Sequence, residues 1–223
     1  MNARPSLPGS RSAFRVVIAG VLIYVVLDVI VQSLPPHYNP ISQAESDLAV
    51  GPYGYIMTLN FVNRGLLSLV FVYALSMVLL EEGESRRSLG LSLLAVWGLG
   101  ALLLAIFPTD VPATPVSGHG AIHLLVAAVA FLAGAFGTVA LSQEFHRLDS
   151  LKGIAQPAKL IADLAVVFAL VTLGLGFIVK RLADQIGGLD ERIFLGLVLL
   201  WMTLVSVHLL RSRKVAAGTV AQS

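Results

Sequence analysis

The chain has no cysteine, which removes disulfides, iron–sulfur clusters, thiolate zinc sites and cysteine nucleophiles at once. Charge is also scarce: Asp, Glu, Lys and Arg make up 13% of 223 residues, against roughly 25% in an ordinary soluble domain. No connection between the apolar runs is long enough to be a separate soluble domain, so the chain holds one domain. What is abundant is apolar. Hydrophobic residues reach 57% and mean hydropathy is +0.85, the composition of a polytopic membrane protein in contact with the lipid bilayer. A net charge of +2 and a pI near 9.1 do not argue for a nucleic-acid partner here, because a positive-inside bias accounts for them.

Crossing the hydrocarbon core takes about 20 apolar residues as a helix. The stretches 14–34, 53–80, 89–107, 121–141, 158–179 and 193–210 qualify, which predicts an all-α, six-helix transmembrane bundle. The second is longer than needed and must tilt or project. Arg4, Arg11, Arg15, Arg86, Arg87, Arg147, Lys152, Lys159, Arg211, Arg213 and Lys214 fall on one side, against Lys180, Arg181 and Arg192 on the other. Both termini are therefore expected in the cytoplasm and the protein in the plasma (inner) membrane. Residues 1–12 and 216–223 read as disordered cytoplasmic tails around a membrane domain at 13–215. Val31-Gln32-Ser33 resembles a weak signal cleavage site, but Asp28 interrupts the apolar region and the stretch is long enough to span, so the first helix is read as uncleaved.

The polar residues gather at the non-cytoplasmic end. In the first outer connection, Ser42 and Glu45 have capping-box spacing and predict a short helix over 42–50, with Glu45, Ser46 and Asp47 at the interface. Helix two carries Asn60, Asn63 and Arg64, with Arg64 about 17 Å in from Tyr53. A guanidinium there needs a partner, and Asp28, about 9 Å in from the outer end of helix one, is the expected counter-ion. Such a pair either fixes packing or, with Asn60 and Asn63, binds an anionic ligand.

After helix three comes FPTDVPATPVSGHG. Asp110 lies at the interface, Ser117 can cap helix four, and His119 and His123 are four apart on one helical face. That is the spacing two imidazoles need to share zinc, with Asp110 or Glu45 as a third ligand. Without the Glu of a zincin motif the pattern is not diagnostic. The competing reading makes His119 a solvated loop residue and His123 a helix-packing one. Gly98, Gly100, Gly134, Gly137, Gly174 and Gly176 read as close-packing positions between helices.

NPISQAESDLAVGPYG before helix two, FPTD after helix three and GxxH opening helix four resemble the bacterial membrane family catalogued as domain of unknown function 998, over roughly residues 14–210. The resemblance implies a six-helix inner-membrane protein without assigned activity, and its pattern falls on Pro40, Ser42, Gly54, Pro108, Asp110, Gly120 and His123. His119 is outside that pattern. A Ser, an Asp and a His at one face are also loosely similar to membrane hydrolases such as alkaline ceramidases, which hold zinc with more His than this chain offers.

Three functional expectations follow. The first is an outward-facing polar pocket of Glu45, Asp110 and His123 above Arg64, with Ser46 beside them, which binds or hydrolyses a small or lipid-like anionic ligand. In the hydrolytic form Asp110, His123 and Ser46 are the catalytic candidates. The second is a proton- or ion-coupled transporter using Asp28 and Arg64. The third is an accessory subunit without chemistry.

Overall fold

The structure, a computed structural model, describes residues 8–84, 88–112, 114–178 and 180–220. Among them there is helix but no strand. The helices are α1 (Pro8–Gln32), α2 (Gly54–Glu81), α3 (Leu89–Ile106), α4 (Gly118–Glu144), α5 (Ala155–Ile178) and α6 (Lys180–Val220). Six of the segments are long and apolar enough to cross a membrane. Exposed Leu22, Leu66, Leu125 and Leu160 cover the outer surface, which suits a bilayer and not water.

Each helix packs on its sequence neighbours and α1 returns to α6, closing the ring. Small residues let α3 approach both partners. A Cβ on Gly65 would lie 2.9 Å from the Gly98 carbonyl, and one on Gly90 would lie 3.1 Å from the Gly137 carbonyl. Gly100 meets Ala130 and Gly134 meets the Trp97 ring. With lipid as apolar as leucine, such close backbone approach is what holds membrane helices together. Two aromatic groups fill the core. Trp97, Phe131 and Phe194 meet with centroids 4.7–6.1 Å apart. Phe14, Phe71, Trp201 and Phe145 form a chain toward the end that carries the termini.

Two boundaries differ from expectation. α6 begins at Lys180, not near 193: the charged stretch before the apolar run remains helical because it supports the 35–52 connection, described below. α1 begins at Pro8, so residues 8–12 and 216–220, expected in tails, continue helices; 1–7 and 221–223 lie outside the described residues, as do Arg86 and Arg87 of the charge count.

Candidate functional site

The connection over residues 35–52 folds onto the bundle as a lid. The Asn39 side chain accepts from the Ile41 N–H at 3.0 Å, and the Gln43 side chain accepts from the Asn39 N–H at 2.7 Å, which closes a tight local turn. Arg192 of α6 clamps it: Nη1 donates to the carbonyls of Pro40, Gln43 and Gly188 at 3.0–3.2 Å, and Nη2 donates to the Tyr38 hydroxyl at 2.6 Å. The guanidinium also lies over the Tyr38 ring, 5.2 Å from its centroid. The Leu189 N–H donates to the Ile41 carbonyl at 2.9 Å. Only glycine fits at 188, since a Cβ there would sit 2.0 Å from the Gln43 carbonyl oxygen.

The capping box does not form. The 3-10 turn Glu45–Val50 has Ala44 at its cap and no side-chain cap bond. Glu45 is instead drawn inward: it is 1% exposed, its carboxylate accepts from the Tyr24 hydroxyl, and its N–H donates to Glu191 Oε2 at 2.9 Å. Burial, and then the nearby Asp28 carboxylate, push the Glu45 carboxyl up to about 8, with the Arg64 charge pulling the other way.

The expected Asp28–Arg64 ion pair is also absent among the described residues; the ion pairs present there are Lys152–Asp149 and Lys159–Asp163. Asp28 accepts from the Gln32 amide one turn along α1. Arg64, 2% exposed, lies over the rings of Phe61 and Trp97, 5.3 and 4.9 Å from their centroids. Its Nε has no hydrogen-bond partner. The aromatic faces supply the attraction that a carboxylate was expected to supply. Asn60 and Asn63 are not turned to Arg64 either. Their amides donate to the carbonyls of Tyr24 at 3.1 Å and Gly20 at 2.9 Å, tying α2 to α1.

Arg64 lines a cavity of about 380 Å³ with Ser46, His123, Thr172 and Glu191 as its other polar residues. Phe61, Leu104, Leu124, Ala127, Phe131 and Leu173 make up most of the apolar wall. Leu124 is 57% exposed, so the wall between α4 and α5 gives onto the lipid-facing surface. His123 Nδ1 sits 2.8 Å from the Phe107 carbonyl oxygen. A carbonyl can only accept, so the proton is on Nδ1 and Nε2 is the basic nitrogen. Thr172 donates to Asp190 across the α5–α6 contact.

Asp110 is occupied elsewhere. Its Oδ2 accepts from the Ser117 N–H at 2.8 Å and its Oδ1 from the Ser117 hydroxyl at 2.6 Å. That hydroxyl accepts from the Gly120 N–H at 3.1 Å and caps α4, as its position suggested. The two bonds from Ser117 hold the Asp110 carboxyl below its ordinary range. A Cβ on Gly120 would lie 1.8 Å from Asp110 Oδ2, so any larger residue there would push the carboxylate from its place on Ser117. His119 is exposed and packs on the Phe107 ring, with centroids 5.8 Å apart. Among the described residues no three His, Asp or Glu side chains are grouped to hold a metal. The zinc set of His119, His123 and Asp110 is therefore not assembled: carbonyl, ring and cap interactions have taken up its members.

Ser46, Arg64 and His123 thus line one cavity, while Glu45 and Asp28 face another groove, Asp110 caps a helix, and Asn60 and Asn63 join helices. Glu191, Arg192 and Tyr24 are central and were not anticipated. The available signal was Asp190-Glu191-Arg192 directly before an apolar run, a charged triplet at membrane depth that needs partners.

No curated protein and no solved structure matches the chain. The model of a family described as protein of unknown function (DUF998) matches residues 17–208. The chain belongs to that family, and it is a multi-pass membrane protein.

Proposed function

We propose that this member of a family without assigned activity binds a lipid-like or small anionic ligand in the cavity between α4 and α5. The lid end faces away from the cytoplasm, as the Lys and Arg count implies. The observation that carries the reading is Arg64: a buried guanidinium with an unpartnered Nε, held on aromatic faces at the polar end of an apolar cavity. A cation kept at membrane depth at a cost of several kcal/mol is expected to serve a ligand. The headgroup lies against Arg64, and the apolar part leaves past Leu124 toward lipid.

Binding is tested with purified full-length protein and a labelled anionic amphiphile such as an alkyl phosphate. Arg64→Gln should weaken binding about tenfold or more, the loss expected for one charge-assisted contact. Equal affinity in wild type and Arg64→Gln would remove the reading.

One observation favours hydrolysis as a second reading: the Phe107 carbonyl fixes the His123 tautomer with Nε2 basic. His123 would take a proton from a water attacking an ester carbonyl, and the departing alcohol would receive it as the C–O bond breaks. An ester-linked amphiphile that wild type binds but does not cleave would leave binding alone. Turnover that survives His123→Ala would remove His123 from the chemistry.

A further inference from the structure

A second cavity, of about 410 Å³, lies between α1 and α6, on the other side of the lid turn. Ala44 and Ser46 line the first cavity, whereas the Glu45 side chain turns into this one. Its polar residues are Tyr24, Asp28, Glu45, Arg192 and Thr203, the last already bonded to the Leu199 carbonyl. Three of those residues keep a buried atom without a hydrogen-bond partner: Asp28 Oδ1, Glu45 Oε2 and Arg192 Nε. Buried polar atoms are nearly always paired, so three in one groove call for a complement. Nor do the residues satisfy each other, since no ion pair joins Arg192 to Asp28 or Glu45, and the four Arg192 bonds all go to carbonyls and a hydroxyl.

The chemistry of the complement follows from the atoms. Carboxylate oxygens accept, so they need N–H or O–H donors; a guanidinium Nε–H donates, so it needs an anionic or carbonyl oxygen. Val25 and Leu200, 51% and 52% exposed, lie on the lipid-facing rim of the groove and leave an apolar track for an acyl chain. We propose that the groove between α1 and α6 is a second binding site, for a membrane lipid whose headgroup carries both a protonated primary amine and a phosphate. The amine meets the Asp28 carboxylate and Glu45, whose carboxyl releases its proton to solvent once the ammonium stands beside it, and the phosphate meets Arg192. Phosphatidylcholine fails because its quaternary ammonium has no N–H, and phosphatidylglycerol fails because it has no cation.

Native mass spectrometry of the purified full-length protein, titrated with dioleoyl phosphatidylethanolamine, phosphatidylcholine and phosphatidylglycerol, tests this. The Arg64→Gln protein, whose first cavity has lost the charge that would hold phosphatidylglycerol, should retain phosphatidylethanolamine about tenfold better than either other lipid, the ratio that two charge-assisted contacts can supply. The double variant Asp28→Asn/Glu45→Gln, near-isosteric and still able to accept from Tyr24, should reduce the preference to about twofold or less. Leu200→Trp, which fills the mouth without touching a charge, should lower retention of phosphatidylethanolamine even if the double variant folds poorly. Because the groove variants are compared in the Arg64→Gln background, while the first cavity is tested by Arg64→Gln against wild type, the two sites can fail separately. Equal retention of the three lipids by the Arg64→Gln protein overturns the proposal, as does a preference that survives both groove variants in that background. Competition by free phosphoethanolamine as strong as by the lipid would overturn the lipid assignment.

Discussion

At the end of the bundle that carries the termini, buried polar groups are closed into bonds within and between the helices and their connections. Trp201 Nε1 donates to the Ser142 hydroxyl at 2.8 Å, and that hydroxyl donates to the Thr138 carbonyl at 2.7 Å. His208 Nε2 sits 2.9 Å from the Ser150 carbonyl oxygen. At the lid end, Asp28, Glu45, Asn60, Arg64 and Arg192 each keep a buried atom without a partner. Of these Asn60 lines neither cavity, and nor do Trp97, Arg11 and Ser150, whose Nε1, Nε and Oγ also lack a partner. The difference separates two uses of polarity in a membrane. Groups that only pack are satisfied by hydroxyls and carbonyls of their own or a neighbouring element. Groups left open beside a cavity are costly, and they are where ligand chemistry is expected.

The largest effect should come from the closed end. Trp201→Ala removes a fully buried ring that packs on both Phe71 and Phe145, and should cost about 3–5 kcal/mol. Arg64→Met, at an equally buried position, should leave thermal stability in detergent unchanged or raised, because it removes an unpaired buried charge. If Arg64→Met lowers Tm as much as Trp201→Ala does, the comparison breaks and Arg64 is a packing residue.

Next is the lid clasp. Gly188→Ala places a methyl against the Gln43 and Pro40 carbonyls and should cost about 1–3 kcal/mol by overpacking. Hydrogen exchange should localise the change. The amides of Gln43, bonded within the lid, and of Glu45 and Leu189, bonded between lid and α6, should lose protection while the Trp201 region keeps it. Uniform loss of protection would mean that the lid and the bundle open as one unit.

How much of this was legible follows from how local each signal is. The six spans were readable because hydropathy is summed over about twenty adjacent residues, and the Ser117 cap because it acts three residues along the chain. The start of α6 was not readable, since Gly187, Gly188, Asp190, Glu191 and Arg192 look like a loop until Arg192 is seen holding carbonyls about 150 positions away in the chain. The capping box was misread for the same reason. Ser42 and Glu45 had the right spacing, but Tyr24 and Glu191 outcompeted the local bond. Arg64 was expected to seek Asp28, the nearest carboxylate by depth, and found two rings whose positions no spacing rule encodes.

A smaller, pH-dependent effect tests the open end alone. The Glu45 carboxyl lies at about 8 in the fold, above the ordinary value near 4.3 of an unfolded chain. Its neutral form is the one the fold favours. Its contribution is therefore fully present below about pH 4.3 and is lost as pH rises through about 8. The facing charges are Asp28, Arg64 and Glu191, with the Tyr24 hydroxyl bonded to it. Tm should decline over that window in wild type, and Glu45→Gln should flatten the decline. A slope unchanged in Glu45→Gln would assign it to the other carboxylates.

The smallest effect concerns Asp110, whose role the cap redefines. Because Ser117 donates to both carboxylate oxygens, Asp110 titrates below its ordinary range, and the sign is opposite to that of Glu45. The ionised form is favoured in the fold, so its contribution is present above about pH 4 and is lost as pH falls below that. Ser117→Ala should cost about 1 kcal/mol, as loss of an N-cap hydroxyl does, and Asp110→Asn should shift Tm in the same direction by less. Binding of the anionic amphiphile at neutral pH should be unchanged in Asp110→Asn, since this carboxylate serves the start of α4 and does not line the cavity with Arg64, His123 and Glu191. Loss of binding in Asp110→Asn with Tm intact would return Asp110 to the ligand site and erase the distinction between capping and ligand-binding groups at the lid end.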